Sequence, residues 1–223
     1  MQNSNDLLKR AVAAAALEYL TPGSVLGVGT GSTVNHFIDL LGERKIDIEA
    51  AVSSSEASTK RLQALGIPVI DANGLTHLSL YVDGADEVDP KACLIKGGGG
   101  ALTREKILAD LAERFICIVD QAKCVDVLGR FPLPIEVLDM ARAQITRKLE
   151  ALGARVAQRE GFISDNGHPI LDVSGLRIDK PRELESRINQ WPGVVSVGLF
   201  AERPADLVLI ASSDGVKKLL PKP

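Results

Sequence analysis

The sequence predicts an α/β protein that combines a Rossmann-like, mostly parallel sheet domain with a second, smaller ferredoxin-like α+β domain. Short apolar segments that favour strands alternate with helical segments through the first half of the chain. This alternation is typical of a parallel sheet covered by helices on both faces. The pattern changes at residues 129–134, a proline-containing segment typical of a domain boundary. Beyond it, the predicted elements follow the order β-α-β-β-α-β of a ferredoxin-like sandwich.

The first domain is predicted from residues 1–129 together with 203–223. A helix is expected up to about Tyr19, because Pro22 and Gly23 end its alanine-rich pattern. Apolar, β-prone stretches then predict strands at 24–28, 48–52, 68–70, 78–82 and 115–119, and the stretches between them predict helices at 33–41, 57–65 and 103–113. The apolar stretch 206–210 predicts one more strand, which could return to this sheet. Since ligands of parallel sheets bind at the carboxyl ends of the strands, the loops there are the expected position of a site.

The second domain is predicted from residues 130–202. Its expected strands are 135–138, 154–158, 162–164, 169–173 and 194–199, and its expected helices are 142–152 and 181–190. The turn Asp165-Asn166-Gly167 is predicted to join the strands at 162–164 and 169–173, because Asn-Gly is a strong hairpin signal.

Charge and composition exclude several classes of protein. The 29 acidic and 26 basic residues give a formal charge of -3, which argues against a nucleic-acid partner. No segment approaches the roughly 20 apolar residues of a membrane helix, and the N-terminus lacks a signal-peptide pattern, so we expect a cytoplasmic protein without a membrane partner. The three cysteines form no C-x-x-C pair and the three histidines are scattered, so neither a disulfide framework nor a metal motif is indicated.

A glycine-rich turn follows the first predicted strand. The segment Gly27-Val28-Gly29-Thr30-Gly31-Ser32-Thr33 brings backbone N–H groups and hydroxyls to the start of a helix, which favours an anion such as phosphate. It satisfies neither the dinucleotide fingerprint nor the Walker loop. Capping of the helix by Ser32 or Thr33 is the alternative. Ser53-Ser54-Ser55 stands in the same relation to the next helix, where capping and ligand contact are both open.

An acidic segment and a glycine run carry the next signal. Asp83, Asp86, Glu87 and Asp89 fall within seven residues, and Lys96 precedes four successive glycines. Glycine is tolerated in that number mainly where a ligand approaches the main chain closely. Carboxylates accept hydrogen bonds from sugar hydroxyls and an ammonium stabilises an oxyanion, so these residues suit a sugar without a metal. A solvated acidic turn is the alternative.

Glu105 lies in the first turn of the helix predicted at 103–113. A carboxylate there is stabilised by the helix dipole by about 0.3–1 kcal/mol, which accounts for it without any function. An ionised carboxylate is also what a general base requires. Its position alone is compatible with both.

In their order and spacing these motifs closely resemble ribose-5-phosphate isomerase A over nearly the whole chain. The matching segments are Gly29-Thr30-Gly31-Ser32-Thr33, Ser53-Ser54-Ser55, Asp83-Gly84-Ala85-Asp86, Lys96-Gly97-Gly98-Gly99, Leu102-Thr103-Arg104-Glu105-Lys106, Gly129-Arg130-Phe131-Pro132-Leu133-Pro134, Pro192-Gly193-Val194-Val195 and Gly198-Leu199-Phe200. That family interconverts ribose 5-phosphate and ribulose 5-phosphate in the non-oxidative pentose phosphate pathway, without a metal or other cofactor. The resemblance implies the same reaction here, through an enediolate.

The resemblance also implies a role for each matching residue. Glu105 corresponds to the proton-transfer base, while Asp83, Asp86 and Lys96 contact the sugar oxygens and assist ring opening or stabilise the enediolate. The remaining substrate-binding residues are Thr30, Gly31, Ser32, Thr33, Gly84, Ala85, Gly97, Gly98, Gly99 and Lys123. The small domain and its apolar strands suggest self-association, and we expect a homodimer.

Two other functions fit the same fold: a sugar-phosphate sensor that binds without turnover, and another sugar-phosphate enzyme such as an amino-sugar phosphate deaminase. Such sensors commonly carry a DNA-binding segment, which the sequence does not indicate. The full set of Asp83, Asp86, Lys96 and Glu105 favours the isomerase over both.

Overall fold

The structure is a computed structural model that describes residues 2–221, with side chains from residue 5 onward. In chain order its helices and strands are α1 (Gln2–Ala16), β1 (Val25–Val28), α2 (Ser32–Glu43), β2 (Ala50–Ser53), α3 (Glu56–Ala64), β3 (Leu78–Asp83), β4 (Glu87–Val88), β5 (Leu94–Ile95), α4 (Leu102–Leu111), β6 (Ala112–Asp120), β7 (Leu133–Val137), α5 (Arg142–Glu150), β8 (Arg155–Gln158), β9 (Ile170–Ser174), α6 (Pro181–Asn189), β10 (Val194–Val197), β11 (Leu199–Phe200), β12 (Leu207–Ser212) and β13 (Gly215–Leu219).

The chain divides into two compact units, each built from separate stretches of sequence. The first contains Met1–Ala85, Arg104–Lys123 and Ala205–Pro223, and the second contains Asp86–Thr103 and Cys124–Pro204. The predicted domains, 1–129 with 203–223 and 130–202, differ from these units chiefly at 86–103 and 124–129. Residues 86–103 belong to the second unit because β4 and β5 pair with each other and β5 pairs with β11. Residues 124–129 belong to it because Cys124 bridges to Val88 and Leu128 bridges to Ile178.

The first unit contains a six-stranded sheet in the order β13-β12-β6-β3-β1-β2. Its strands are parallel except for the antiparallel pair of β12 and β13. The fully buried side chains of Val12 on α1, Phe37 on α2 and Leu26 on β1 belong to one apolar core. The chain passes from β1 to β2 on one side and then to β3 on the other, so the strand order reverses between β1 and β3. Such a reversal opens a crevice beyond the carboxyl ends of the two strands.

The second unit contains an antiparallel four-stranded sheet in the order β10-β7-β9-β8, and a three-stranded sheet in the order β11-β5-β4. With α5 and α6, the four-stranded sheet has the predicted β-α-β-β-α-β order. Its core includes Ile135, Ile145, Ile188 and Val197, all fully buried. The α/β class and the additional small sheet domain are therefore confirmed.

Several predicted elements differ in detail. Residues 68–70 form a single bridge, between Val69 and Ala51, rather than a strand. Residues 162–164 are not a strand, since the Ser164 N–H already closes a turn to the His168 carbonyl. The strand predicted at 194–199 divides into β10 and β11 at Gly198, and the strand predicted at 206–210 becomes β12, parallel to β6. No helix within residues 2–221 is long and apolar enough to cross a membrane.

Candidate functional site

Asp83 ends β3 with a carboxylate that is completely buried. Its Oδ1 atom accepts hydrogen bonds from the N–H groups of Thr30, at 3.0 Å, and Gly84, at 2.7 Å. Its Oδ2 atom accepts the phenol O–H of Tyr81. An ionised carboxylate can only accept, so three donors hold this one in a fixed orientation. Gly29 is required beside it, because a Cβ at residue 29 would overlap the Asp83 carboxyl carbon.

The glycine-rich turn lies between β1 and α2, as the strand and helix pattern of the sequence predicts. Gly31 occupies the position before the helix with φ of 116°, and no described side chain caps α2. The capping alternative for Ser32 and Thr33 is therefore not what the structure contains. The first turn of this twelve-residue helix keeps N–H groups that suit an anion.

The serines after β2 divide between capping and contact with this turn. Ser55 caps α3, since its side chain accepts the Ser58 N–H at 3.2 Å. Ser54 lies within 2.8 Å of the Thr30 hydroxyl, Oγ to Oγ1. Ser58 donates its hydroxyl to the Gly29 carbonyl at 2.7 Å. The serine cluster thus holds the glycine-rich turn against α3.

Glu105 lies in the first turn of α4 and is only 3% exposed. The pKa of the Tyr81 phenol is raised well above its ordinary value, first by burial and then by the negative charges of Asp83 and Glu105. Both carboxylates therefore act electrostatically on the same phenol, which stays protonated at neutral pH. Lys123 ends a short 3-10 turn after β6, at the same carboxyl edge of the sheet, and is partly buried.

In the second unit, Asp86 is bound to the glycine run. Its Oδ2 atom accepts the Gly98 N–H at 2.7 Å, and its own N–H donates to the Ile95 carbonyl at 2.8 Å. A Cβ at residue 98 would come within 2.6 Å of Asp86 Oδ1. The close approach that the glycine run predicts is here an approach to a carboxylate of the same chain.

Lys96 is 2% exposed and directly follows β5. Its N–H donates to the Gly198 carbonyl at 2.9 Å, and its Nζ lies 5.4 Å from the centre of the Phe200 ring. A cation over an aromatic face is attracted by the ring. The pairing of β5 with β11 therefore fixes both the backbone and the ammonium of Lys96.

The glycine run has a defined conformation. Gly97 and Gly100 have φ of 104° and 82°, in the left-handed region. A Cβ at residue 100 would overlap the Phe162 ring, so the fourth glycine is needed for space as well as for conformation. Gly98 and Gly99 are exposed.

Sequence reasoning missed Tyr81, although a signal existed. Residues two apart on a strand point to the same face, so Tyr81 and Asp83 share one side of β3. Arg159, whose Nη1 atom donates to the carbonyls of Gly97 and Gly98, has no comparable local signal. Among the described side chains, no group of three or more His, Cys, Asp or Glu residues is arranged to hold a metal ion.

Comparison with known proteins gives a consistent result. The family model described as ribose 5-phosphate isomerase A (phosphoriboisomerase A) matches residues 50–215. The ribose-5-phosphate isomerase A of Methylibium petroleiphilum is 59% identical over 216 residues, which is 97% of this chain and 99% of that protein.

Solved structures extend the similarity to the whole fold. The crystal structure of ribose 5 phosphate isomerase A from Neisseria gonorrhoeae matches with a TM-score of 0.96 and 42% identity, over 98% of each chain. A D-ribose-5-phosphate isomerase in complex with phospho-erythronic acid matches with a TM-score of 0.92 and 40% identity, over 96% of this chain and 98% of that one.

Proposed function

The chain belongs to the ribose 5-phosphate isomerase A family and interconverts ribose 5-phosphate and ribulose 5-phosphate, and we propose that it does so through an enediolate with Glu105 as the base. The reaction moves a proton from C2 of the open-chain aldose to C1. It therefore needs a base near C2, donors for the developing oxyanion, and groups that hold the phosphate.

Phosphate binding is assigned to the turn between β1 and α2. The N–H groups at the start of α2 and the hydroxyls of Thr30, Ser32 and Thr33 supply donors where the helix dipole favours an anion. Gly31 keeps the backbone open to the ligand, and Lys123 supplies a further cation. The hydrogen bond of Thr30 to Ser54 supports this assignment, because it fixes a hydroxyl that a phosphate oxygen can use.

The sugar oxygens are assigned to the two aspartates and Lys96. Asp83 and Asp86 accept hydrogen bonds from sugar hydroxyls and assist ring opening, while Lys96 stabilises the negative charge of the enediolate. The backbone of Gly84, Ala85 and Gly97–Gly99 adds polar contacts. Both aspartates are already oriented by backbone N–H donors, which supports a role that depends on direction.

Proton transfer is assigned to Glu105. Its carboxylate removes the C2 proton, the electron pair forms a C1–C2 double bond, and the carbonyl electrons move to O1. The O2 hydroxyl proton is then transferred to O1, O2 becomes the carbonyl, and C1 takes up a proton from Glu105. The observation that carries this assignment is the burial of Glu105 in the first turn of α4, where its charge reaches Tyr81, the partner of Asp83.

Isotope exchange in the protein and in two variants tests the assignment. Chelator-treated protein is incubated with ribose 5-phosphate in deuterated water, and the sugar is followed by NMR. We expect ribulose 5-phosphate with deuterium at C1. Glu105→Gln should lower kcat by about 10²–10⁴-fold, the usual contribution of a general base, while binding of phospho-erythronic acid, measured by calorimetry, stays within a few-fold. Glu113→Gln, which changes an exposed glutamate, is the control.

Three other results of these experiments would contradict the assignment of Glu105 or indicate a different function. Equal loss of binding and turnover in Glu105→Gln would show that Glu105 is not the base. Unchanged substrate with a broadened phosphate resonance would indicate a sugar-phosphate sensor. Activity lost to the chelator and restored by a divalent ion would indicate a metal at the acidic segment.

We further propose that the enzyme is a homodimer of the cytoplasm. Leu138 and Met140, two residues apart in the chain just after β7, are exposed, at 42% and 93%, and we assign the dimer contact to this apolar pair. All three cysteines are thiols and Cys124 is exposed, which is typical of a reducing compartment. Light scattering on the purified protein measures the mass, and a monomer across the working concentration range would contradict the dimer.

A further inference from the structure

The carbonyl groups of the glycine run are bound by a side chain from elsewhere in the second unit. Arg159 follows β8, and its Nη1 atom donates to the carbonyls of Gly97 and Gly98, at 3.2 Å each. The rest of the guanidinium pairs with Asp172 on β9, through Nε at 2.9 Å and Nη2 at 2.6 Å. Arg159 is therefore fixed by a bidentate ion pair before it reaches the glycines.

Because peptide groups are planar, the contacts of Arg159 with two carbonyls also fix the direction of the N–H groups that follow them in the glycine run. The chain has no cis peptide bond among the described residues, and in a planar trans peptide the C=O and the following N–H point in opposite directions. The Gly97 carbonyl faces Arg159, so the N–H of Gly98 faces the other way, where it donates to Asp86. The Gly98 carbonyl faces Arg159 too, so the N–H of Gly99 also points away from the guanidinium.

An aromatic ring holds the end of the same run. Phe162 lies against Gly100, at the position a Cβ would occupy, and its ring centre is 5.3 Å from the guanidinium carbon of Arg159. The ring thus contacts both the loop and the side chain that orients it. Arg159, Asp172 and Phe162 thus form one connected set of side chains against the glycine run, with Arg159 on the side opposite to Asp86.

We propose that Arg159 is a positioning residue for the isomerase reaction, acting through the Gly97–Gly98 and Gly98–Gly99 peptides. It turns two successive N–H groups toward one face, the first to orient the Asp86 carboxylate and the second to meet a sugar oxygen. This role rests on the proposed assignment of Asp86 and Gly99 to the substrate. It requires arginine, because a lysine ammonium cannot bind both carboxylate oxygens of Asp172 in a planar fork while reaching both carbonyls.

Steady-state kinetics of three single variants and one double variant test the proposal: Arg159→Met, Arg159→Lys, Asp172→Asn, and Arg159→Met combined with Asp172→Asn. We expect kcat/KM of Arg159→Met to fall by about 10–100-fold, the scale of a misplaced catalytic group, mainly through kcat. The inhibition constant of inorganic phosphate, which probes the turn between β1 and α2, should not change. Arg159→Lys should not restore kcat, and the Arg159→Met, Asp172→Asn double variant should be no worse than Arg159→Met alone, because both substitutions break one path.

The control is Arg142→Met, which breaks an ion pair to Asp139 in the same unit without touching the glycine run. Wild-type kinetics in Arg159→Met, or an equal loss of kcat and phosphate affinity, would overturn the positioning role. If Arg159→Met does not fold, Arg159→Lys and Asp172→Asn provide the test: kcat should fall while the inhibition constant of inorganic phosphate stays unchanged. An inactive unsubstituted enzyme would instead refute the isomerase function, and the role of Arg159 with it.

Discussion

Replacing Tyr81 by Phe removes the phenol that donates to Asp83 and leaves the rest of the buried ring in place. Asp83 keeps its N–H donors from Thr30 and Gly84, so the variant removes the phenol's hydrogen bond to this buried carboxylate, together with its hydrogen bond with Ser54. Hydrogen bonds to charged groups contribute about 1.5–3 kcal/mol. We expect Tyr81→Phe to lower the free energy of unfolding by about 2 kcal/mol near pH 7.

The pH dependence gives this prediction its specificity. Burial and the charges of Asp83 and Glu105 raise the pKa of Tyr81 in the folded state, while an unfolded tyrosine titrates near about pH 10. Above that pH the unfolded chain releases the proton and the folded chain keeps it, so the stabilisation from this group is lost as the pH rises. One proton corresponds to about 1.4 kcal/mol for each pH unit. The Tyr81→Phe variant has no phenol at this position, so its stability does not fall for this reason as the pH rises.

Urea unfolding of both proteins near pH 7 and near pH 11 measures the effect. The difference in stability should shrink by about 1.4 kcal/mol between the two conditions, since the high-pH loss affects only the protein with the phenol. Tyr19→Phe, which removes a partly buried phenol of the same unit without touching Asp83, is the control. An equal difference at both pH values would refute the reasoning, because it would mean that Tyr81 titrates alike in the folded and unfolded states.

Two further predictions concern space and exposure. Gly29→Ala should lose most activity and about 1–3 kcal/mol of stability, because its Cβ would overlap the fixed Asp83 carboxylate. The control is Gly74→Ala, where a Cβ meets nothing within 4 Å. Wild-type kinetics in Gly29→Ala would contradict the close approach of residue 29 to Asp83. Iodoacetamide should label only Cys124 rapidly, as counted by mass spectrometry, because Cys117 is buried and burial raises the pKa of Cys93 to about 12. Rapid labelling of a second cysteine in the folded protein would show that one of these thiols is reactive.

The elements that could be predicted from the sequence are those with a strong local pattern. The parallel strands of the first unit are short apolar runs, and their ends follow from Gly29 and from the acidic segment that begins at Asp83. The strand at Glu87–Val88 and the one at Leu94–Ile95 could not be predicted in the same way. Each has two residues, and the pairing that stabilises them includes β11, about a hundred residues further along the chain.

The residues of the candidate site also differ in whether a local sequence pattern predicts them. Residues in one motif, such as Thr30 and Gly31, could be identified from composition and spacing. Arg159 reaches the carbonyl of Gly97 across 62 residues of sequence. A loop arginine between two strands has no pattern of its own, so its contact depends on the register of β8 with β9. Tyr81 is intermediate, because its spacing from Asp83 is regular but an aromatic residue in an apolar strand is most often part of the core.

The place of β12 in the sheet also determines the order in which the first unit can be completed. This strand lies between β6 and β13, yet it begins at Leu207, so nearly the whole chain must be synthesised before it pairs. Until then β6 pairs only with β3 and is an edge strand, and the apolar side chains of Ile116 and Ile118 lack neighbours such as Leu209. Exposed edges of this kind are sites of aggregation in partly folded chains. A nascent chain that stops before residue 205 would therefore carry Asp83 and Glu105 in a unit whose six-stranded sheet lacks β12 and β13.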